Sequence, residues 1–186
     1  MTENWKKEMA HKPTKEYYEA MKDLINTDFV KILGKEMKIL EIGVRTGIST
    51  HAFLESTFVK HLTSVDKLDC PLAQLEVVEL NRMDDWKFHK MESKAFFHSD
   101  HVKGEKYDLV YIDGSHIEVD AASDMRLSWL LLNEPGVMMT DDVQHEKAFK
   151  GDYGYGVARA FWGMMYGQKR KATFYPTQNG LAYIIK

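Results

Sequence analysis

An α/β fold built on a doubly wound, mostly parallel sheet is what this 186-residue sequence predicts. Three stretches predict it. Lys38-Ile-Leu-Glu-Ile-Gly43 is a short apolar run that ends in an acid and a glycine. Leu62-Thr-Ser-Val-Asp66 and Tyr107-Asp-Leu-Val-Tyr-Ile-Asp113 repeat the plan, each stopping at an acid. Between them lie segments with apolar residues at helical spacing, and strand, helix, strand in that order implies parallel neighbours with right-handed crossovers. Ligands bind outside the carboxyl ends of such strands, so the acids would share one functional edge. The arrangement is Rossmann-like.

Hydrophobic residues at 44% and charged residues at 28% are the composition of a soluble globular protein. The length suits one core, so residues 1–186 are read as a single domain with a helical segment at 1–35. A net charge of −3 gives no general attraction to nucleic acid or anionic lipid. The lone Cys70 rules out an internal disulfide framework and reads as a small core or cap residue. Met1-Thr-Glu-Asn-Trp-Lys-Lys7 has no apolar leader, and no apolar run is long enough to span a bilayer, so a cytoplasmic location is expected.

Taken in order, Pro13-Thr14 opens a helix with Tyr17, Met21, Leu24, Ile25, Phe29, Ile32 and Leu33 on one face, stopped by Gly34 and broken in two at Asn26-Thr27-Asp28. Ile39, Leu40 and Ile42 suit a strand buried on both faces. A helix follows from Ile48 to Val59, then strand two at Leu62–Asp66. Asp69-Cys70-Pro71 starts a helix with Leu72, Leu75 and Val78 on its inner side. Trp86 to Met91 is strand three. Strand four, Tyr107 to Asp113, leads through Gly114 into a helix bearing Ala122, Met125, Trp129 and Leu132. Asn133-Glu-Pro-Gly136 stops that helix, and Val137 to Asp142 is strand five. Residues 144–156 read as an irregular loop, and Val157, Ala160, Phe161 and Met164 define a last helix. Ala172–Tyr175 and Leu181–Ile185 close the chain as an antiparallel hairpin.

Gly43 and Gly47 let the backbone turn tightly beside a ligand, and the next helix points free N–H groups toward it. The spacing E-x-G-x-x-x-G lacks the close glycine pair of a dinucleotide fingerprint, which argues against NAD. Asp66 lies 23 positions after Gly43, close to the separation of about 20 at which an acid reaches the ribose hydroxyls of a nucleotide-bearing cofactor. Asp113, Asp141 and Asp142 would converge at the ends of strands four and five. That much negative charge calls for a hard divalent ion such as Mg2+. The competing reading is that Asp113 and Asp142 cap the helices they precede. His116, three residues past Asp113, could accept a proton near neutral pH or be a simple cap. His145 is a weaker alternative.

Glu41, Gly43 and Gly47, together with Ile-Asp-Gly-Ser-His116 and Thr-Asp-Asp142, resemble the class I S-adenosylmethionine-dependent methyltransferases. Among these the pattern is most similar to metal-dependent small-molecule O-methyltransferases of the catechol and macrolide sugar types. The resemblance implies a seven-stranded sheet with a C-terminal antiparallel hairpin. It implies that Glu41, Gly43, Val44, Arg45, Gly47, Ser49, Asp66, Ser93 and Asp113 contact S-adenosylmethionine. Asp113, Asp141 and Asp142 would ligate the metal, and His116 would stand where these enzymes place a basic residue. The catechol enzymes have asparagine at the third acid position, and the turn after strand three here lacks the glycine common in relatives. The implied partner is a small hydroxylated acceptor, whose pocket Tyr153, Tyr155, Phe161 and Trp162 could line. A metal-independent methyltransferase, a cephalosporin hydroxylase-like enzyme, a silent cofactor-binding protein and assembly into a homo-oligomer all remain open.

Overall fold

The computed structural model describes residues 2–34, 36–144, 155–168 and 170–186. Among them, seven strands form one sheet: β1 (Met37–Ile42), β2 (Val59–Asp66), β3 (Trp86–Lys90), β4 (Tyr107–Ile112), β5 (Leu132–Thr140), β6 (Thr173–Tyr175) and β7 (Leu181–Ile185). Their spatial order is β3-β2-β1-β4-β5-β7-β6. Strands β1 to β5 run parallel, while β7 pairs antiparallel with both β5 and β6. The doubly wound sheet and its terminal hairpin are those the sequence predicts.

Alternation along the central strands decides what covers each face. Ile39, Leu109, Tyr111, Val137 and Met139 point into one core, shared with the N-terminal helices and with α4 (Ile48–Glu55). Leu40, Ile42, Val110, Ile112 and Met138 point into the other, against α7 (Glu118–Leu131) and α8 (Gly156–Gln168). Because both faces are buried, these strands read as near-continuous apolar runs.

The N-terminal segment contains more order than expected. Helix α1 (Glu3–Ala10) precedes α2 (Lys12–Asp23), and the Thr2 hydroxyl caps it by accepting the Trp5 N–H at 3.1 Å. Trp5 stacks on His51 of α4, with ring centroids 3.9 Å apart. His51 Nδ1 in turn lies 3.3 Å from Glu76 Oε2, and the Thr2 hydroxyl also donates to Glu76. One aromatic among charges has no period, so only the tertiary contact reveals this helix.

Asn26-Thr27-Asp28 does not break the following helix but widens it. Leu24–Phe29 is a π-helical turn between α2 and α3 (Val30–Leu33). Asn26 Nδ2 donates to the Lys22 carbonyl at 2.8 Å, and Thr27 Oγ1 to that of Asp23 at 2.6 Å. These side chains serve carbonyls that the widened turn leaves to them. Gly34 then ends the helix with φ +64°.

Helix α4 stops at Glu55, and β2 starts three residues before the expected Leu62, because buried Val59 pairs with Met37. Helix α5 (Pro71–Glu79) turns Ala73, Glu76 and Val77 inward and leaves Leu75 and Val78 about half exposed, so its buried face differs from the one the apolar spacing predicts. In α7 the inward residues are Ala121, Asp124, Met125 and Ser128; Ala122 is exposed. Cys70 is a buried residue at the start of α5, packed with Val44 and Ala73.

Removing the Trp5 ring should destabilise the fold through lost packing over His51 and Tyr18. Trp5→Ala should cost about 3–5 kcal/mol in urea unfolding, with Trp5→Phe losing clearly less.

Candidate active site

The carboxyl ends of the four central strands continue their ladder for one residue past the sheet. Gly43 N–H donates to Val65 O at 2.9 Å, Asp113 N–H to Ile42 O at 2.8 Å and Asp141 N–H to Ile112 O at 3.2 Å. Asp66, Gly43, Asp113 and Asp141 therefore stand side by side. At Gly43, φ +93° and the approach of β4 both require glycine, since a Cβ there would overlap the Asp113 carbonyl oxygen. Gly47, with φ +85°, brings the start of α4 against Ala73, where a Cβ would sit 2.6 Å from that residue.

Two cavities open on this edge. The larger, about 430 Å³, is walled by Pro13, Thr14 and Tyr17 of α2, by Val44–Thr46, Ile48 and Ser49, by Asp113 and Asp141, and by the 177–179 connector of the hairpin. The smaller, about 260 Å³, lies between Gly43–Arg45, Asp66–Leu68, Met91–Ser93 and Asp113–His116. Val44, Arg45 and Asp113 line both, so one elongated ligand could occupy the two together. Arg45 holds this junction in a left-handed conformation, φ 52°, that a non-glycine residue adopts at a cost.

Asp113, His116 and Asp142 bring one donor atom each within 4.8 Å of one another, and His116 Nε2 is 3.1 Å from Asp142 Oδ2. Asp142 reaches this position with φ 61°. Asp141, the third expected ligand, lies outside that trio and faces the larger cavity beside Asp113. Gly156 at the start of α8 packs so closely on the His116 carbonyl that any Cβ would collide, which fixes the turn that carries the imidazole. His145 and Tyr153 lie outside the described residues. Phe161 is fully buried core, and Trp162 donates to the Val143 carbonyl at 3.0 Å, so neither is a clear pocket wall.

A methyltransferase domain family matches residues 40–143, more than half the chain, across this whole constellation. The chain belongs to that methyltransferase family. No curated protein matches it. Its fold is similar to that of a Staphylococcus aureus protein provisionally assigned as a caffeoyl-CoA O-methyltransferase (TM-score 0.70, 20% identity, 89% of this chain and 82% of that one). It is also similar to the Bacillus cereus O-methyltransferase in complex with SAH (TM-score 0.67, 17% identity, 84% and 77%). A third likeness is to the Streptomyces achromogenes O-methyltransferase of tomaymycin synthesis in complex with SAM (TM-score 0.67, 15% identity, 85% and 77%). At these identities the likeness is one of fold. No helix among the described residues is long and apolar enough to cross a membrane.

In this methyltransferase Glu41 is fully buried and lines neither cavity. Its carboxylate accepts the hydroxyls of Ser49 at 2.5 Å, Ser64 at 2.6 Å and Thr50 at 2.8 Å. These three bonds brace the turn from beneath, and Ser49 binds Glu41 while also lining the larger cavity. Burial pushes the Glu41 carboxyl up to about 7 against the pull of the three hydroxyls. Asp66 behaves oppositely. Partial burial raises its pKa, but backbone N–H groups of Leu68, Val44 and Arg45 outweigh it and hold the carboxyl below its ordinary value. At Asp113, burial and then the carboxylates of Asp141 and Asp142 drive the pKa well up.

The sequence shows the strand-end acids and allows the N-terminal helical segment to cover the site, but it does not single out the individual residues that wall the larger cavity. Tyr17 was visible only as one apolar position of a helix. The 177–179 connector carried no signal, because its place depends on β7 inserting beside β5.

The Glu41 shift has a definite sign. Between the ordinary 4.5 and about 7 the folded state keeps a proton that the unfolded chain has released, so stability should fall as pH rises through that window and level off above it. Relative to Glu41→Gln, which cannot titrate, the wild type should lose up to about 3 kcal/mol across that interval. Urea unfolding of both proteins at pH 4.5, 6 and 8 measures the difference, and parallel curves would contradict a buried titrating Glu41.

Proposed function

We propose that this methyltransferase takes S-adenosylmethionine as donor and methylates a hydroxyl of a small molecule, with a divalent ion such as Mg2+ beside the acceptor. The observation that carries the reading is the row of acids on adjacent strand ends, set against two cavities that share Val44, Arg45 and Asp113. The solved relatives of the same fold that hold SAH or SAM support the choice of donor.

The smaller cavity suits the nucleoside. Asp66 lines it with a carboxylate that three backbone N–H groups hold in its ionised form, leaving a lone pair to accept one hydroxyl of a ribose diol. Gly43 and Gly47 keep the turn close, and Val44 and Arg45 carry the ligand onward into the larger cavity. Ser93, the first residue of the short helix α6 (Ser93–Phe97) after β3, lines the same cavity and would face the base. When bound, the sulfonium donor supplies an already activated methyl group, so the protein's contribution is alignment and proton removal.

The charge balance of the site fits a cation. Burial and the neighbouring carboxylates of Asp141 and Asp142 force Asp113 up, and these acids would hold a divalent ion whose charge would relieve that repulsion and supply Lewis-acid polarisation of an acceptor oxygen. Asp113 and Asp142 each bring a carboxylate oxygen within 4.8 Å of the other beside His116, so the two acids face a shared space whose charge a divalent ion would neutralise. Asp113 and Asp142 would supply carboxylate oxygens, with Asp141 contributing from the side of the larger cavity. His116 is the base. With its Nε2–H donated to Asp142, the lone pair resides on Nδ1, the atom that would accept the hydroxyl proton.

SAH should raise the melting temperature and bind with a measurable Kd, whereas NAD should do neither. Asp142→Asn is conformationally mild, since asparagine also tolerates positive φ. It should weaken Mg2+ or Mn2+ binding about tenfold or more in calorimetry and leave SAH affinity within about threefold. Equal loss of both would move the cation elsewhere, and transfer to catechols unaffected by chelator would remove it from the reaction. His116→Ala should lower kcat by about 10²–10⁴, most near neutral pH and less both at low pH, where an imidazole base is protonated, and where the acceptor hydroxyl ionises unaided. An unchanged pH-rate profile would remove the base assignment.

A further inference from the structure

Asp124 is the one inward-facing acid of α7, 2% exposed, and the cofactor reading above gives it no task. Its Oδ1 accepts the Ser93 hydroxyl at 2.8 Å. Its Oδ2 is buried and makes no hydrogen bond among the described residues. It sits directly behind Gly114, close enough that a Cβ built there would lie 3.7 Å from it. Ser93 and Gly114 both line the smaller cavity, so this carboxylate backs the cavity wall without forming its surface.

A serine hydroxyl has one proton and two lone pairs. Here the proton serves a buried carboxylate for which Ser93 is the one hydrogen-bond donor among the described residues. Turning it elsewhere would strand both carboxylate oxygens out of water, at the full desolvation penalty. The proton is therefore committed to Asp124, and the cavity meets only the lone pairs of Ser93 Oγ. We infer that Asp124 is a positioning residue that makes Ser93 an obligate acceptor, so that the smaller cavity selects a base presenting an N–H donor, the exocyclic amine of adenine, and rejects one presenting oxygen there.

This rests on the cofactor reading above. Asp66 and Ser93 line the same cavity from the ends of β2 and just beyond β3, neighbouring strands of the sheet. Adjacent strands are about 4.8 Å apart, so a base attached to a ribose held by Asp66 falls beside Ser93. Burial raises the Asp124 carboxyl to about 6, which leaves it mainly ionised, and accepting, at neutral pH.

The test compares SAH with its deaminated analogue S-inosylhomocysteine, which places oxygen where adenine has the amine, by calorimetry at pH 7.5. Wild type should prefer SAH by about tenfold or more. Asp124→Ala and Ser93→Ala should each reduce that preference toward unity, and the double variant should reduce it no further, because both act through one hydroxyl. Asp124→Asn, oriented with its carbonyl toward Ser93, should retain most of the preference and guards against a folding defect in the alanine variant. If Asp124→Ala weakens both ligands equally and the ratio survives, Asp124 is merely structural and the inference fails while the cofactor reading stands. If Ser93→Ala lowers the ratio and Asp124→Ala does not, Ser93 reads the base unaided and the inference likewise fails. Failure of SAH to bind wild type at all would instead overturn the cofactor reading, and this inference with it.

Discussion

The backbone contact between Gly43 and Asp113 is the constraint on which the site depends. Two adjacent parallel strands normally diverge into separate loops once their ladder ends. Here the Asp113 N–H bonds the Ile42 carbonyl, and the missing Cβ of Gly43 lets the Asp113 carbonyl oxygen close against it. The two turns are locked into one surface. Asp66 reinforces the lock from β2 by accepting the N–H groups of Val44 and Arg45, and buried Glu41 anchors Ser49 and Thr50 of α4 from below. The acid at the centre of the cleft is therefore placed by backbone geometry, with side chains acting as braces.

This explains which parts of the fold were legible in the sequence. Strands β1, β4 and β5 are buried on both faces and announce themselves as apolar runs; their terminal acids follow directly. Helix faces were harder. In α5 the residues that turn inward are Ala73, Glu76 and Val77, and Glu76 is a carboxylate buried against His51, so the hydrophobic pattern pointed one step away from the true face. Helix α1 depends on Trp5 meeting His51 across 46 positions of chain, a contact no local pattern encodes. The start of β2 was hidden by Lys60 and His61, which are exposed although the strand has already begun.

The same distinction holds within the site. Positions fixed by local rules, the glycine turn and the strand-end acids, lie together as the sequence implied. Positions fixed by long-range packing are less direct: Glu41 is buried beneath the turn and lines neither cavity, Asp141 and Asp142 separate toward different neighbours, and Tyr17 arrives from the N-terminal helix. The separation of the two adjacent aspartates has a backbone cause. Asp141 still bonds Ile112 in the manner of a strand, whereas Asp142 has passed into positive φ, and that change of conformation between consecutive residues sends one carboxyl to the larger cavity and the other to His116.

Tyr17 shows how the N-terminal helices can belong to the chemistry and not merely cover it. Its hydroxyl bonds that of Tyr111 on β4, and both phenols lie within the field of the Asp113 and Asp141 carboxylates. Burial raises both phenols far above their usual range, with the negative charge of Asp113 and Asp141 adding to it, so neither ionises and each can only pass on the hydrogen bond it holds. The Tyr17–Tyr111 bond thus ties α2, which walls the larger cavity, to the central strand whose end carries Asp113. Because α2 is joined to β4 by this hydroxyl pair as well as by apolar packing, the wall of the larger cavity and the sheet edge that bears the acids are held as one unit.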